Sequence, residues 1–180
     1  MPGDALIVVD MQVGLLEGPP KHDLANVVQR INALAALARR TNGHVVWIRH
    51  CGGEGFEPHK PGWSFLPDLA RDPMDLVIEK TLNDAFAGTA LHEKLQSLAP
   101  ARLMIAGWAT DFCVDATVRS AISHDYPVVA VEDGHTLADR PHLPAPAVIR
   151  HHNWVWSGLI SRRSIRVART ADLMTERRQA

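Results

Sequence analysis

Leu103-Met-Ile-Ala-Gly-Trp-Ala-Thr-Asp-Phe-Cys-Val-Asp-Ala-Thr-Val-Arg-Ser-Ala121 decides the fold of this chain. Its first four residues, Leu103 to Ala106, form a continuous apolar run bounded by Gly107. Such a run reads as a buried strand of a parallel sheet. From Phe112 the spacing turns helical, with Phe112, Val114, Ala116, Thr117, Val118 and Ala121 able to cover a buried side. Thr110 or Asp111 is expected to cap that helix. Cys113 then lies where a strand ends, the chain turns and a helix begins. Free amides and the positive end of the helix dipole gather there. Such a place stabilises a thiolate and can hold an oxyanion. The competing reading is a buried, inert cysteine, a common fate of free thiols.

Outward from that stretch, short apolar runs alternate with helical spacing. Ala5–Asp10, His44–Arg49, Asp75–Lys80, Pro127–Glu132 and Ser164–Ala168 read as further strands. Leu24–Arg40, Gly88–Leu98 and Ala145–Ser157 read as helices, and Thr170 as the cap of a short last one. Asp133-Gly134 reads as a turn into a polar loop. The segment from Cys51 to Pro67 is rich in Gly, Pro and aromatic residues without periodicity, which marks a functional loop. The alternation predicts an α/β fold: three layers, αβα, around a doubly wound parallel sheet.

The 180 residues fit one domain, 1–180, with no linker, repeat or low-complexity tract. Hydrophobic residues make up 46% and charged residues 22%, ordinary for a globular protein. A formal net charge of -1 provides no global field for nucleic acid or an anionic membrane. No apolar run approaches a membrane span, and the N-terminus lacks the pattern of a signal peptide. Two cysteines, Cys51 and Cys113, are too few for a disulfide framework and suit a reducing, cytoplasmic setting. The expected partner is a small-molecule substrate.

Asp10, Lys80 and Cys113 all fall at or just past the C-terminal ends of predicted strands. Ligands of open α/β sheets bind in the crevice at those ends. There Asp10 can take the thiol proton and return it to a leaving group, while Lys80 favours the thiolate and holds Asp10 ionised. This expects an easily ionised thiol at neutral pH. The plain alternatives are a capping carboxylate for Asp10 and a solvated strand end for Lys80.

Three segments resemble the isochorismatase-like cysteine hydrolases: Leu6-Ile-Val-Val-Asp-Met-Gln12, Glu79-Lys80 with Asn83-Asp-Ala-Phe-Ala-Gly-Thr89, and Gly107-Trp-Ala-Thr-Asp-Phe-Cys-Val114 followed by Ala116-Thr117. The resemblance runs in order over nearly the whole chain. It implies a triad of Asp10, Lys80 and Cys113, a six-stranded sheet in the order 3-2-1-4-5-6, and a cis peptide at Trp108–Ala109. It also implies that the amides of Ala109 and Cys113 face one oxyanion. Family members hydrolyse small substrates, mostly at C–N bonds of amides or carbamoyl compounds. The presence of Cys113 favours acyl transfer over the vinyl-ether cleavage of true isochorismatases. A catalytically silent binding protein of the same fold is the other alternative.

The resemblance has departures. Nicotinamidases of the family carry an Asp-x-His metal motif, but Arg49-His50-Cys51 stands at that place. Two histidines, His50 and His59, and a cysteine could bind zinc, yet their spacing is not diagnostic, so neither metal nor cofactor is expected. Candidate pocket residues are Gln12, Trp63, Phe65, Asn83, Phe86 and Trp108. His135 and Thr136, beside the same sheet edge, are weaker candidates. The stretch from His151 to Trp156 reads as helix packing or a subunit contact, and the family habit is a homodimer or homotetramer.

Overall fold

The computed structural model describes residues 2–176. Its strands are β1 Ala5–Val9, β2 His44–His50, β3 Leu76–Lys80, β4 Leu103–Trp108, β5 Val128–Thr136 and β6 Ile165–Ala168. They form one sheet in the order β3-β2-β1-β4-β5-β6, and every pairing is parallel. All five residues of β1 are fully buried, because this strand lies inside the sheet with helices over both of its faces. That position explains its unbroken Ala-Leu-Ile-Val-Val sequence.

The helices are α1 Val13–Leu16, α2 Leu24–Arg40, α3 Leu91–Leu98, α4 Asp115–Ser123, α5 Ala145–Ser157 and α6 Thr170–Glu176. Ile31 and Leu34 of α2 and Leu173 of α6 pack with Leu6, Val8, Val45 and Trp47 on one face. On the other face, Leu91 and Leu95 of α3, Val118 and Ala121 of α4 and Trp156 of α5 pack with Ile7, Val9, Ile48 and Ile105. The side chains of β1 alternate between these two clusters, as a strand period of two requires.

Two regions depart from the sequence reading. No N-cap of α4 forms at Thr110 or Asp111. Instead Thr110–Val114 is a π-helical turn that runs straight into α4, and Cys113 sits inside it. The Ala109 carbonyl accepts the amides of both Phe112 and Val114 at 3.1 Å, which closes the wide turn. Asp133-Gly134 likewise does not leave the sheet. β5 continues to Thr136 across an irregularity: Ile105 pairs with Ala130, but Gly107 pairs with His135. The extra residues bulge outward and bring His135 and Thr136 beside the end of β4.

Gly107 has a structural reason at φ +125°. A Cβ there would lie 2.2 Å from the Val9 carbonyl oxygen. Only glycine lets β1 and β4 stay paired up to the point where the nucleophile turn begins.

Candidate active site

In this strand order the chain reverses direction across the sheet at β1, with β2 on one side and β4 on the other. A crevice opens at the carboxyl ends of such neighbours. Asp10 directly follows β1 and has φ 51°, in the left-handed region that Asp tolerates better than most residues. Its amide stays tied to the Ile48 carbonyl at 3.0 Å. Lys80 is the last residue of β3 and pairs with His50 of β2.

The Lys80 Nζ lies 2.5 Å from Asp10 Oδ2, with both side chains almost wholly buried. The ammonium also donates to the Leu82 carbonyl at 2.9 Å. Among the described residues neither Asp10 oxygen has a hydrogen bond of good angle. The Lys80 contact is therefore an ion pair by distance, which leaves the carboxylate able to receive a proton. Burial raises the Asp10 pKa, and Lys80 opposes that rise.

Cys113 is half-buried. Its Sγ lies 3.7 Å from Asn83 Oδ1. Burial, and next the Asp10 charge, push the thiol up to about 12, against the pull of Lys80. This overturns the expectation of an easily ionised thiol. Desolvation of the thiolate outweighs the ammonium, and the paired carboxylate still adds its own repulsion. The pair at rest is thus a protonated Cys113 thiol and an Asp10 carboxylate of raised basicity.

The six candidate pocket residues separate. Asn83 stands beside the thiol. Trp108 is half-buried at the end of β4, joined to Ala109 by the expected cis peptide. The Lys21 ammonium lies 5.4 Å from the Trp108 ring centroid. Gln12 is fully buried and its carboxamide is spent on backbone. It donates to the carbonyls of His50 and Trp63 at 3.0 and 3.1 Å and accepts the His50 amide at 2.7 Å. It thus ties β1, β2 and the long loop together rather than reaching for substrate.

Three aromatics have other partners. Trp63 stacks under the Arg49 guanidinium at 3.4 Å, and its indole N–H points at the Cys51 sulfur, 3.3 Å away. Phe65 is buried, edge-on to Trp47. Phe86 is buried in the core and stacks on His124, just past the far end of α4 from the nucleophile turn. All three make packing contacts within the fold. No group of three or more His, Cys, Asp or Glu is placed to hold a metal among the described residues.

Sequence reasoning underrated His135. It is fully buried between the nucleophile turn and α5, and burial pushes its pKa down to about 4. Its Nδ1 lies 2.9 Å from the Thr110 hydroxyl and its Nε2 lies 3.0 Å from Asn153 Oδ1. The signal available in the sequence was its place three residues after Glu132, the carboxylate that ends the strand predicted there.

Comparison with known proteins agrees with this geometry. Residues 4–150 match the isochorismatase domain model. A streptothricin hydrolase from Streptomyces noursei is 34% identical over 78% of this chain, which covers 52% of that protein. The chain thus spans about half the length of that relative. A ureidoacrylate amidohydrolase from Cronobacter sakazakii is 28% identical over 80% of this chain and 79% of its own length. The crystal structure of an isochorismatase from Pseudomonas putida KT2440 superposes with a TM-score of 0.85, at 30% identity, over 94% of this chain and 89% of that one. With the family model covering most of its length and the fold matched across the whole sheet, the chain belongs to the isochorismatase-like hydrolase family.

Proposed function

We propose that the protein is a cysteine amidohydrolase that cleaves a C–N bond of a small amide or carbamoyl compound. The observation that carries this reading is the buried Asp10–Lys80 ion pair set against the Cys113 thiol at the switch point of the sheet. The relative that is a ureidoacrylate amidohydrolase supports the bond type, and the streptothricin hydrolase supports hydrolysis.

Because the thiol is pushed up to about 12, attack and proton transfer occur together. Cys113 Sγ bonds to the substrate carbonyl carbon as its proton passes to Asp10. The carbonyl oxygen becomes an oxyanion, which the amides of Ala109 and Cys113 receive. Collapse of this adduct breaks the C–N bond, and Asp10 returns the proton to the departing amine. Water then attacks the thioester, Asp10 takes its proton, and the acid and free thiol are released. Lys80 keeps Asp10 in its anionic form between these transfers, and Asn83 stands beside the sulfur.

The test is a screen of ureidoacrylate, streptothricin and simple primary amides with wild type and Cys113→Ala in parallel, reading ammonia or acid released. At least one compound should be hydrolysed by wild type and left intact by Cys113→Ala. Undiminished amide turnover by Cys113→Ala would remove Cys113 as the attacking group, and cleavage of a vinyl-ether probe by both proteins, with the amides left intact, would point instead to vinyl-ether chemistry, which needs Asp10 but no thiol. A wild type that binds these compounds without turning any over would leave a silent binding protein.

A further inference from the structure

We infer that His135 is a positioning residue for the nucleophile: as a neutral acceptor it holds the Thr110 hydroxyl and so fixes the π-helical turn that aims Cys113. This rests on the reading of Cys113 as the attacking group.

The tautomer follows from the network. The Asn153 amide group donates to the Glu132 carbonyl at 3.0 Å, so its Oδ1 is the atom facing His135. That oxygen accepts, which places the imidazole hydrogen on Nε2. The opposite nitrogen, Nδ1, then carries a lone pair, and the Thr110 hydroxyl must donate to it. The ring also packs edge-on against buried Trp156 at 4.9 Å. Burial disfavours the imidazolium, which would lose the acceptor.

Thr110 is the first residue of the turn and Cys113 lies three residues further on within it. The next residue, Asp111, is held from outside by Arg140, whose Nε and Nη2 donate to its two carboxylate oxygens at 2.7 and 2.6 Å. Two adjacent side chains therefore clamp the start of the turn, one to the core and one to the surface loop. A π-helical turn lacks the regular hydrogen-bond ladder of an α-helix, so outside contacts must set its shape. Attack needs the sulfur within about 3–3.5 Å of the carbonyl carbon, and a 1 Å misplacement can cost about 10²-fold.

Crossed substitutions separate this role from simple support. Asn at 135 presents its oxygen near the Nδ1 position and keeps the acceptor for Thr110 while losing Asn153. Gln at 135 reaches Asn153 through its amide and loses the Thr110 acceptor. Thr110→Val removes the donor at constant shape, and Thr110→Ser retains it. Measured on the best substrate from the screen, His135→Gln and Thr110→Val should each lower kcat by about 10–100-fold with KM within about threefold. Both should slow iodoacetamide labelling of Cys113. His135→Asn and Thr110→Ser should recover most of the loss, and the double variant Thr110→Val/His135→Gln should be no worse than either single change. Thermal midpoints taken alongside should not rank the variants in the order of their rates.

The inference is overturned if His135→Gln and Thr110→Val match wild type in kcat and labelling, or if rates simply follow thermal stability across all four single variants. Cys113→Ala is run in parallel. Activity retained by it sinks the nucleophile and this inference together, whereas an inactive Cys113→Ala beside a fully active His135→Gln sinks the inference alone.

Discussion

At Cys113 the charges nearest the sulfur oppose each other. Asp10 raises the thiol and Lys80 lowers it, while burial sets the direction of the balance. Labelling by iodoacetamide proceeds through the thiolate, so its rate should climb about tenfold per pH unit from pH 7 to 10 with no plateau. Lys80→Met removes the lowering charge and should slow labelling throughout that range. Asp10→Asn removes the raising charge and should label at least as fast as wild type, yet lose about 10²–10⁴-fold in kcat as a general base does. Kinetics of labelling against pH for the three proteins decide the point. A plateau below pH 9 in wild type would mean that the thiol ionises easily after all. Labelling of Lys80→Met as fast as wild type would move Lys80 from activating the site to binding substrate.

Among the elements, what was legible in the sequence depended on how local its cause is. α2 and every strand but β5 came within a residue or two because periodicity and a buried sheet's unbroken apolar runs are properties of short windows. The order of the strands required the family resemblance, since alternation alone fixes only that the sheet is parallel. The ends of β4 and β5 were misread for a nonlocal reason. Gly134 looks like a turn residue in isolation, but a Cβ there would meet Val131 and Ala106, so this glycine serves close packing within the sheet. Thr110 looks like a cap, yet its hydroxyl answers to His135, 25 residues away. The candidate triad was legible because Asp10 and Lys80 stand at strand ends and Cys113 in the strand-to-helix turn that follows β4. The pocket was not, because Phe65 and Phe86 carry the same apolar signature whether they line a cavity or fill a core.

For the whole molecule, apolar surface left uncovered points to self-association. Trp154 of α5 is 73% exposed and Phe112, beside the nucleophile, is 52% exposed. Trp156 on the same helix is fully buried, so only part of the aromatic stretch is free for a contact. We propose a homodimer or homotetramer, to be checked by light scattering across a hundredfold range of concentration. Trp154→Glu should shift the mass downward, and a monomer mass at every concentration would refute the assembly. The buried His135 has a further consequence, in proton linkage. Its pKa is about 4 in the fold against about 6.5 in an unfolded chain. Between those values the unfolded chain binds a proton that the native one refuses, so stability rises with pH across this window. The full effect is on the order of 3 kcal/mol at neutral pH, and it fades as pH falls from about 6.5 to 4. Urea unfolding of wild type and His135→Asn at pH 7 and pH 5 should show wild type losing more stability on acidification, and equal losses would contradict this. The buried imidazole thereby makes the fold sensitive to acid at a higher pH than the paired carboxylates Asp23, Asp75 and Glu176, whose lowered pKa values act further down the scale.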